Sequence, residues 1–124
     1  MSLPRILLAV PGLAAGLLLP ALGDAPKAPP PTAVGMVEEF FDRSEETVRL
    51  GERLTFVNNS RVVHVIGPGQ DGQIRAAPPG MPRLGSPLLE TNGVQMTDPW
   101  QKPGTYYVTC SVHPKMTLKV VVAP

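Results

Sequence analysis

The sequence predicts an all-β fold, a Greek-key β-sandwich of about seven to eight short strands, and three observations carry that expectation. Sixteen Pro and twelve Gly in 124 residues work against a helical bundle, because Pro lacks an amide donor and fixes its backbone angle. Short β-branched runs separated by turn residues recur from Ala33 to the end of the chain. The length suits one domain, and no internal repeat is visible.

The first residues stand apart from that domain. Met1–Arg5 is short and singly charged, Ile6–Leu19 is largely apolar, and Ala21-Leu22-Gly23 places small residues where a signal peptidase reads them. Residues 1–23 are therefore expected to be a signal peptide, processed before Asp24, and the mature protein to be exported to the periplasm or the cell exterior. The alternative is an uncleaved anchor, and only then would the chain contact a membrane. A spanning helix needs about 20 apolar residues, and Pro11 and Pro20 interrupt this stretch. Cysteine does not follow the apolar run, which excludes lipidation, and there is no Arg pair for a twin-arginine signal.

Residues 24–32, rich in Pro, read as an extended spacer, and residues 33–124 as the folded domain. Val34–Phe41 is the first candidate strand; it runs into an acidic stretch, Glu38 to Glu46, expected to form a solvated hairpin, with a docking patch as the alternative. Thr47–Leu50 is the second, ended by the turn Gly51-Glu52. Arg53–Asn58 alternates, with Leu54 and Phe56 on one face. Val62–Ile66, Val94–Thr97, Thr105–Cys110 and Thr117–Val122 complete the set, and Pro103-Gly104 turns into the Thr105 strand. Gly67–Pro87 carries five Gly and five Pro and is expected to be a long loop or meandering edge. Trp100 reads as core, as do Tyr106 and Val108 on the strand face of Cys110.

Composition removes several classes of function. Eleven basic residues against ten acidic ones leave no basic surface for nucleic acid. A single Cys excludes a disulfide framework and any four-Cys zinc or iron–sulfur site. An odd Cys in an oxidising compartment is a liability unless it is buried, bonded or ligating a metal.

The chemistry is concentrated in Cys110-Ser111-Val112-His113-Pro114-Lys115-Met116. A thiol, an imidazole and a thioether follow one another at intervals of three residues, and a strand end lets all three face one point. The only other histidine, His64, ends a separate β-rich run that a sandwich can bring to the same place. Two imidazoles, one thiolate and a weak thioether are the ligand set of a blue-copper electron-transfer site. Singly, each residue has a plainer reading: Cys110 as a small buried hydrophobe, His64 as a core or loop histidine, Met116 as packing. A Cys–His nucleophilic pair lacks an orienting Asn or Asp after His113. Multicopper oxidase and binuclear copper sites need more His or Cys than the chain holds.

These residues resemble the type 1 copper proteins of the cupredoxin superfamily, and most closely the amicyanin/plastocyanin group. The Cys-x-x-His-Pro-x-Met spacing, continuing into Lys119-Val120-Val121-Val122, is similar to the short ligand loop of amicyanins; plastocyanins and pseudoazurins place the Met two residues later. Val48, Gly51-Glu52, Leu54, Phe56 and Asn58 match the family's approach to its first His, and Pro103-Gly104-Thr105-Tyr106 its lead into the Cys strand. The resemblance spans Val48 to Val122, weakly between Gly67 and Thr91. It implies one copper ion cycling between Cu(I) and Cu(II), with His64, Cys110 and His113 as equatorial ligands and Met116 as the long axial one. It further implies that the Asn58 amide ties the His64 loop to the loop bearing Cys110, and that the Val65 amide donates to the Cys110 sulfur. The chain departs from the family at Val63 and Val65, where Pro and Asn are common, and at Thr109, where plastocyanins carry an aromatic residue.

The function expected is that of an exported electron carrier, not an enzyme, and a monomer. Redox proteins would dock transiently at the His113 edge, on an apolar surface of Pro114, joined by Val63, Pro79, Met81 and Pro82 if the Gly/Pro-rich loop folds over it. The rival reading is a copper carrier without a redox cycle, in which Met81 or Met96 extends a transfer path. A metal-free sandwich for adhesion or assembly is the third.

Overall fold

The computed structural model describes residues 32–85 and 88–124. The expected leader, and the expected spacer up to residue 31, lie outside them. Thr32, the first described residue, already pairs with Leu54.

The described chain forms two β-sheets and no helix. One sheet has the order β2-β1-β4-β8, built from β1 (Thr32–Val37), β2 (Phe40–Phe41), β4 (Leu54–Asn58) and β8 (Val94–Met96). The other runs β3-β10-β9-β5-β6, from β3 (Glu45–Arg49), β10 (His113–Ala123), β9 (Gly104–Cys110), β5 (His64–Gln70) and β6 (Gln73–Ile74). A short β7 (Leu88–Leu89) adds to the start of β5. The chain crosses from the first sheet to the second after β2, which leaves β1 parallel to β4 and β3 parallel to β10.

The sandwich expected from the sequence is present, with about ten strands in place of seven or eight. Two of the extra strands come from hairpins, and the third is β7 beside the start of β5. Val34–Phe41 is not one strand: the chain turns at Glu38 and Glu39, with Glu38 in the left-handed region at φ 49°, and returns as β2. Within Gly67–Pro87, expected to be loop, β5 runs on to Gln70 and pairs with β6. Two features hide this from pattern reading. Pro68 sits inside the strand opposite Val108, and Gly69 takes φ 142°, a conformation that side chains resist.

Apolar residues alternate into the space between the sheets, as period-two strands require. Met116, Leu118, Val120 and Val122 of β10 are buried in turn, facing Val34 and Met36 of β1 and Leu54 and Phe56 of β4 in one core cluster. Cys110, Val108 and Tyr106 project into the same cluster from β9. Trp100 is fully buried against Tyr106, with ring centroids 5.1 Å apart, and its main chain is bonded to Gly51 and Glu52. These contacts close the end of the sandwich where β9 begins.

The β1–β2 hairpin is locked by Asp42. Its Oδ2 accepts the Gly35 N–H at 3.0 Å, its own N–H donates to the Gly35 carbonyl at 2.8 Å, and the Arg43 guanidinium forks onto the carboxylate. Gly35 is required here, since a Cβ would lie 2.9 Å from Asp42 Oδ2 and from Asn59 Nδ2. Partial burial pushes the Asp42 pKa up, but the Arg43 hydrogen bonds, the Gly35 N–H and the Arg43 charge outweigh it and hold the carboxyl below its usual value. A carboxylate with a lowered folded-state pKa contributes stability above its unfolded value of about 3.9, and that contribution is lost as the pH falls through the folded-state value. Asp42→Ala is expected to cost about 0.5–1 kcal/mol at pH 7, allowing for solvent screening. Urea unfolding from pH 7 to pH 2.5 should show the gap between variant and parent narrowing in acid; a gap independent of pH would contradict this account.

Candidate metal centre

Three strand ends meet at one pole of the sandwich. β5 starts there with His64, β9 ends there with Cys110, and β10 starts there with His113. The pairing Ile66↔Cys110 sets His64 beside the thiol, and Cys110↔His113 closes the loop between β9 and β10.

The donor atoms converge. Cys110 Sγ lies 3.8 Å from His64 Nδ1 and 3.6 Å from His113 Nδ1, and one ligand atom from each residue falls within 4.8 Å of the other two. The two imidazole rings are 4.9 Å apart and tilted by 58°. An ion about 2.0–2.1 Å from nitrogen and 2.3 Å from sulfur holds these atoms roughly 3.6–3.8 Å apart for angles between tetrahedral and trigonal. The site therefore has the dimensions of a metal centre. Its donors, one thiol and two imidazoles, are those that copper and zinc share.

Two of the three donors are held by hydrogen bonds from the surrounding protein. The Val65 N–H donates to Cys110 Sγ at 3.4 Å, and the Val65 carbonyl accepts the Ser111 N–H at 2.9 Å. His64 is fully buried, with Nε2 3.0 Å from Ser60 Oγ. Burial, and next the nearby His113, lower the His64 pKa, so its imidazole is neutral at neutral pH. A hydrogen on Nε2, donated to Ser60, leaves the Nδ1 lone pair aimed at the site.

The Asn58 amide anchors this arrangement. Its Nδ2 donates to the carbonyls of Val62 at 2.8 Å and Leu89 at 3.0 Å, and its Oδ1 accepts from the Ser60 N–H at 2.9 Å and Ser60 Oγ at 2.6 Å. An amide has two donors and two lone pairs, and all four are used. The tie expected from Asn58 to the loop bearing Cys110 is therefore not made. Asn58 instead joins the His64 loop to β7 and orients Ser60. The sequence reading missed Ser60, although an Asn two residues before a Ser is a common hydrogen-bonded turn pair.

Met116 is buried and belongs to the core cluster that contains Cys110. It lies where the β9–β10 register shifts between His113 and Thr117. His113 is half-buried and opens onto a cleft of about 230 Å³ lined by Glu39, Val112, Pro114 and Lys115. A larger cavity of about 430 Å³, beside Arg75 and Tyr107, touches none of the three donors.

The rim of the site differs from expectation. Val63 and Pro114 are exposed next to the two histidines, and Val112 is 53% exposed. Pro79, Met81 and Pro82 are elsewhere: a Cβ at Gly80 would touch Lys102 and the Tyr106 hydroxyl at 2.8 Å, at the other end of β9. That is four residues, or about 13 Å of strand, from Cys110. Met96 pairs with Thr55, toward the same distant end of β4. These contacts do not support a path from the site through Met81 or Met96.

No family model matches the chain, and no curated protein matches it in sequence. Solved structures do match it in fold. A reduced amicyanin variant shares 24% identity at TM-score 0.60, covering 75% of this chain and 82% of that one. The reduced Cu(I) form of another amicyanin variant at pH 4 gives 24% identity and TM-score 0.61, over 78% and 86% of the two chains. An oxidised amicyanin variant gives 22% and 0.60, over 75% and 82%. The fold is cupredoxin-like and close to that of amicyanin.

The Ser60 hydrogen bond makes a specific demand. Ser60→Ala is expected to leave the fold intact and to weaken metal binding on the order of 10-fold, the size of effect seen when a ligand histidine loses its outer partner. Competition against a chromophoric chelator measures it, and unchanged affinity would show that Ser60 does not orient His64.

Proposed function

We propose that this amicyanin-like chain is an exported type 1 blue-copper protein that passes single electrons between larger redox partners. The observation that carries the reading is the trio of buried His64 Nδ1, buried Cys110 Sγ and half-buried His113 Nδ1, spaced for one ion inside a cupredoxin-like sandwich. His64, Cys110 and His113 would hold the ion, and Met116, three residues after His113 on β10, would add a weaker thioether contact. The bound copper supplies a one-electron Cu(I)/Cu(II) couple.

The residues suit that task. A thiolate and a thioether favour Cu(I), and imidazole serves both states. The Val65 N–H on the sulfur and the Ser60–Asn58 chain behind His64 hold the donors in one arrangement, so little has to move when the charge changes. An electron received from a donor leaves to an acceptor at the half-buried His113, flanked by exposed Val112 and Pro114. An exposed apolar rim of this kind suits brief, small contacts with redox proteins. No substrate is transformed.

A copper carrier would use the same trio. Gly80, next to Met81, packs on Lys102, and Met96 pairs with Thr55, so an extended methionine path lends that reading no support.

Cu(II) added to the purified protein is expected to give an intense visible thiolate band that saturates at one equivalent and disappears in Cys110→Ser. A pale complex would mean that the thiolate does not bind Cu(II) equatorially, and the carrier reading would replace this one. Export is tested separately. Expressed in a bacterial host with its own leader, the protein is expected in the periplasmic fraction with Asp24 as its first residue; recovery of the intact leader in the membrane fraction would favour an anchor.

A further inference from the structure

The turn between β5 and β6 folds back onto the irregular start of β10, from His113 to Met116. Its two residues have positive φ, 51° at Asp71 and 82° at Gly72. The Gly72 N–H donates to Thr109 Oγ1 at 2.8 Å, and the same hydroxyl donates to the Met116 carbonyl at 2.6 Å. Alongside, the Asp71 N–H donates to Thr117 Oγ1 at 3.0 Å. The turn also presses on Pro114, whose Cα would lie 2.9 Å from a Cβ placed on Gly72. One turn thus touches the residues before, within and after the segment that carries Met116.

The Met116 carbonyl needs such a partner. The β9–β10 ladder runs in register from Thr117↔Thr109 onward, and the shift between His113 and Thr117 interrupts it just before. Thr109, fully buried and next to Cys110, fills the gap with its side chain. Its hydroxyl hydrogen is committed to Met116 and one lone pair to Gly72, so it has one orientation. The axial contact in a blue-copper site is long and weak. A weak contact does not set its own length, so the backbone that carries the thioether does.

We propose that Thr109, held by the Asp71–Gly72 turn, is a positioning residue that sets how closely the Met116 thioether approaches the metal. The inference rests on the copper reading above and gives a role to the first part of the Gly/Pro-rich segment. Valine at this position keeps the shape of threonine and removes both hydrogen bonds.

The test uses the full-length protein as parent, Thr109→Val, Thr109→Ser and Gly72→Ala, each with and without copper. In the copper form, Thr109→Val is expected to keep the one-equivalent thiolate band while changing the intensity ratio of its components and the rhombicity of the Cu(II) electron paramagnetic resonance signal. Copper affinity should fall on the order of 10-fold, and Thr109→Ser should restore all three. In the metal-free form, the Met116 methyl group should relax faster in Thr109→Val than in the parent, and again recover in Thr109→Ser. If Thr109→Val lowers only the melting temperature, with spectra and methyl relaxation as in the parent, the positioning role is overturned. Should Thr109→Val not fold, Gly72→Ala, which wedges the turn away from Pro114, is expected to give the same changes, and parent-like values would overturn the proposal. If the parent itself shows no thiolate band, the copper reading fails, and the metal-free relaxation alone decides whether Thr109 positions Met116.

Discussion

Everything at the metal-binding pole depends on Val65, whose main chain holds two strands together at the point where the ligands meet. Its N–H points at Cys110 Sγ and its carbonyl takes the Ser111 N–H. The first contact stabilises negative charge on sulfur, and the second fixes the start of the ligand loop against β5. Because His64 precedes Val65 directly, the same register that satisfies these groups delivers an imidazole to the thiol. Moving β5 by one residue would turn His64 to the other face of its sheet and separate the donors.

The two histidines are held in contrasting ways. His64 sits behind a closed set of hydrogen bonds through Ser60 and Asn58, in which every polar atom of the amide is used, and its surroundings exclude water. His113 stands half-buried at the start of β10, beside a surface cleft. The buried side supplies rigidity and the open side supplies access. A fully satisfied polar network of this kind specifies one arrangement where a partly satisfied one would allow several.

Much of this was legible in the sequence. The Cys110–Met116 spacing and the lone second histidine pointed to a shared site, and alternation in Arg53–Asn58 and Thr117–Val122 identified two core strands. Local pattern failed where glycine and proline carry structure. Pro68 and Gly69 read as loop yet belong to β5, and the left-handed Glu38 splits what looks like one strand. Asn58 was singled out, but its partners were not, because Leu89 is brought to it only by the pairing of β7 with β5. Ser60 gave no signal strong enough to separate it from any other turn serine. The placement of Met81 near Lys102, far from His113, follows from long-range packing that no short-range pattern encodes.

The parallel pairing of β1 with β4 has a consequence for orientation. Thr32 lies beside Leu54 and Met36 beside Asn58, so the chain enters the sandwich at the pole away from the ligands, about 13 Å of strand from Asn58. β10 leaves in the same direction, with Ala123 beside Arg49. Both ends of the described domain therefore emerge behind the metal-binding face. A fusion partner, a surface linker or an electrode attachment joined at either end would leave His113 pointing outward. Immobilised molecules would share one heading, their His113 edge turned to the solution.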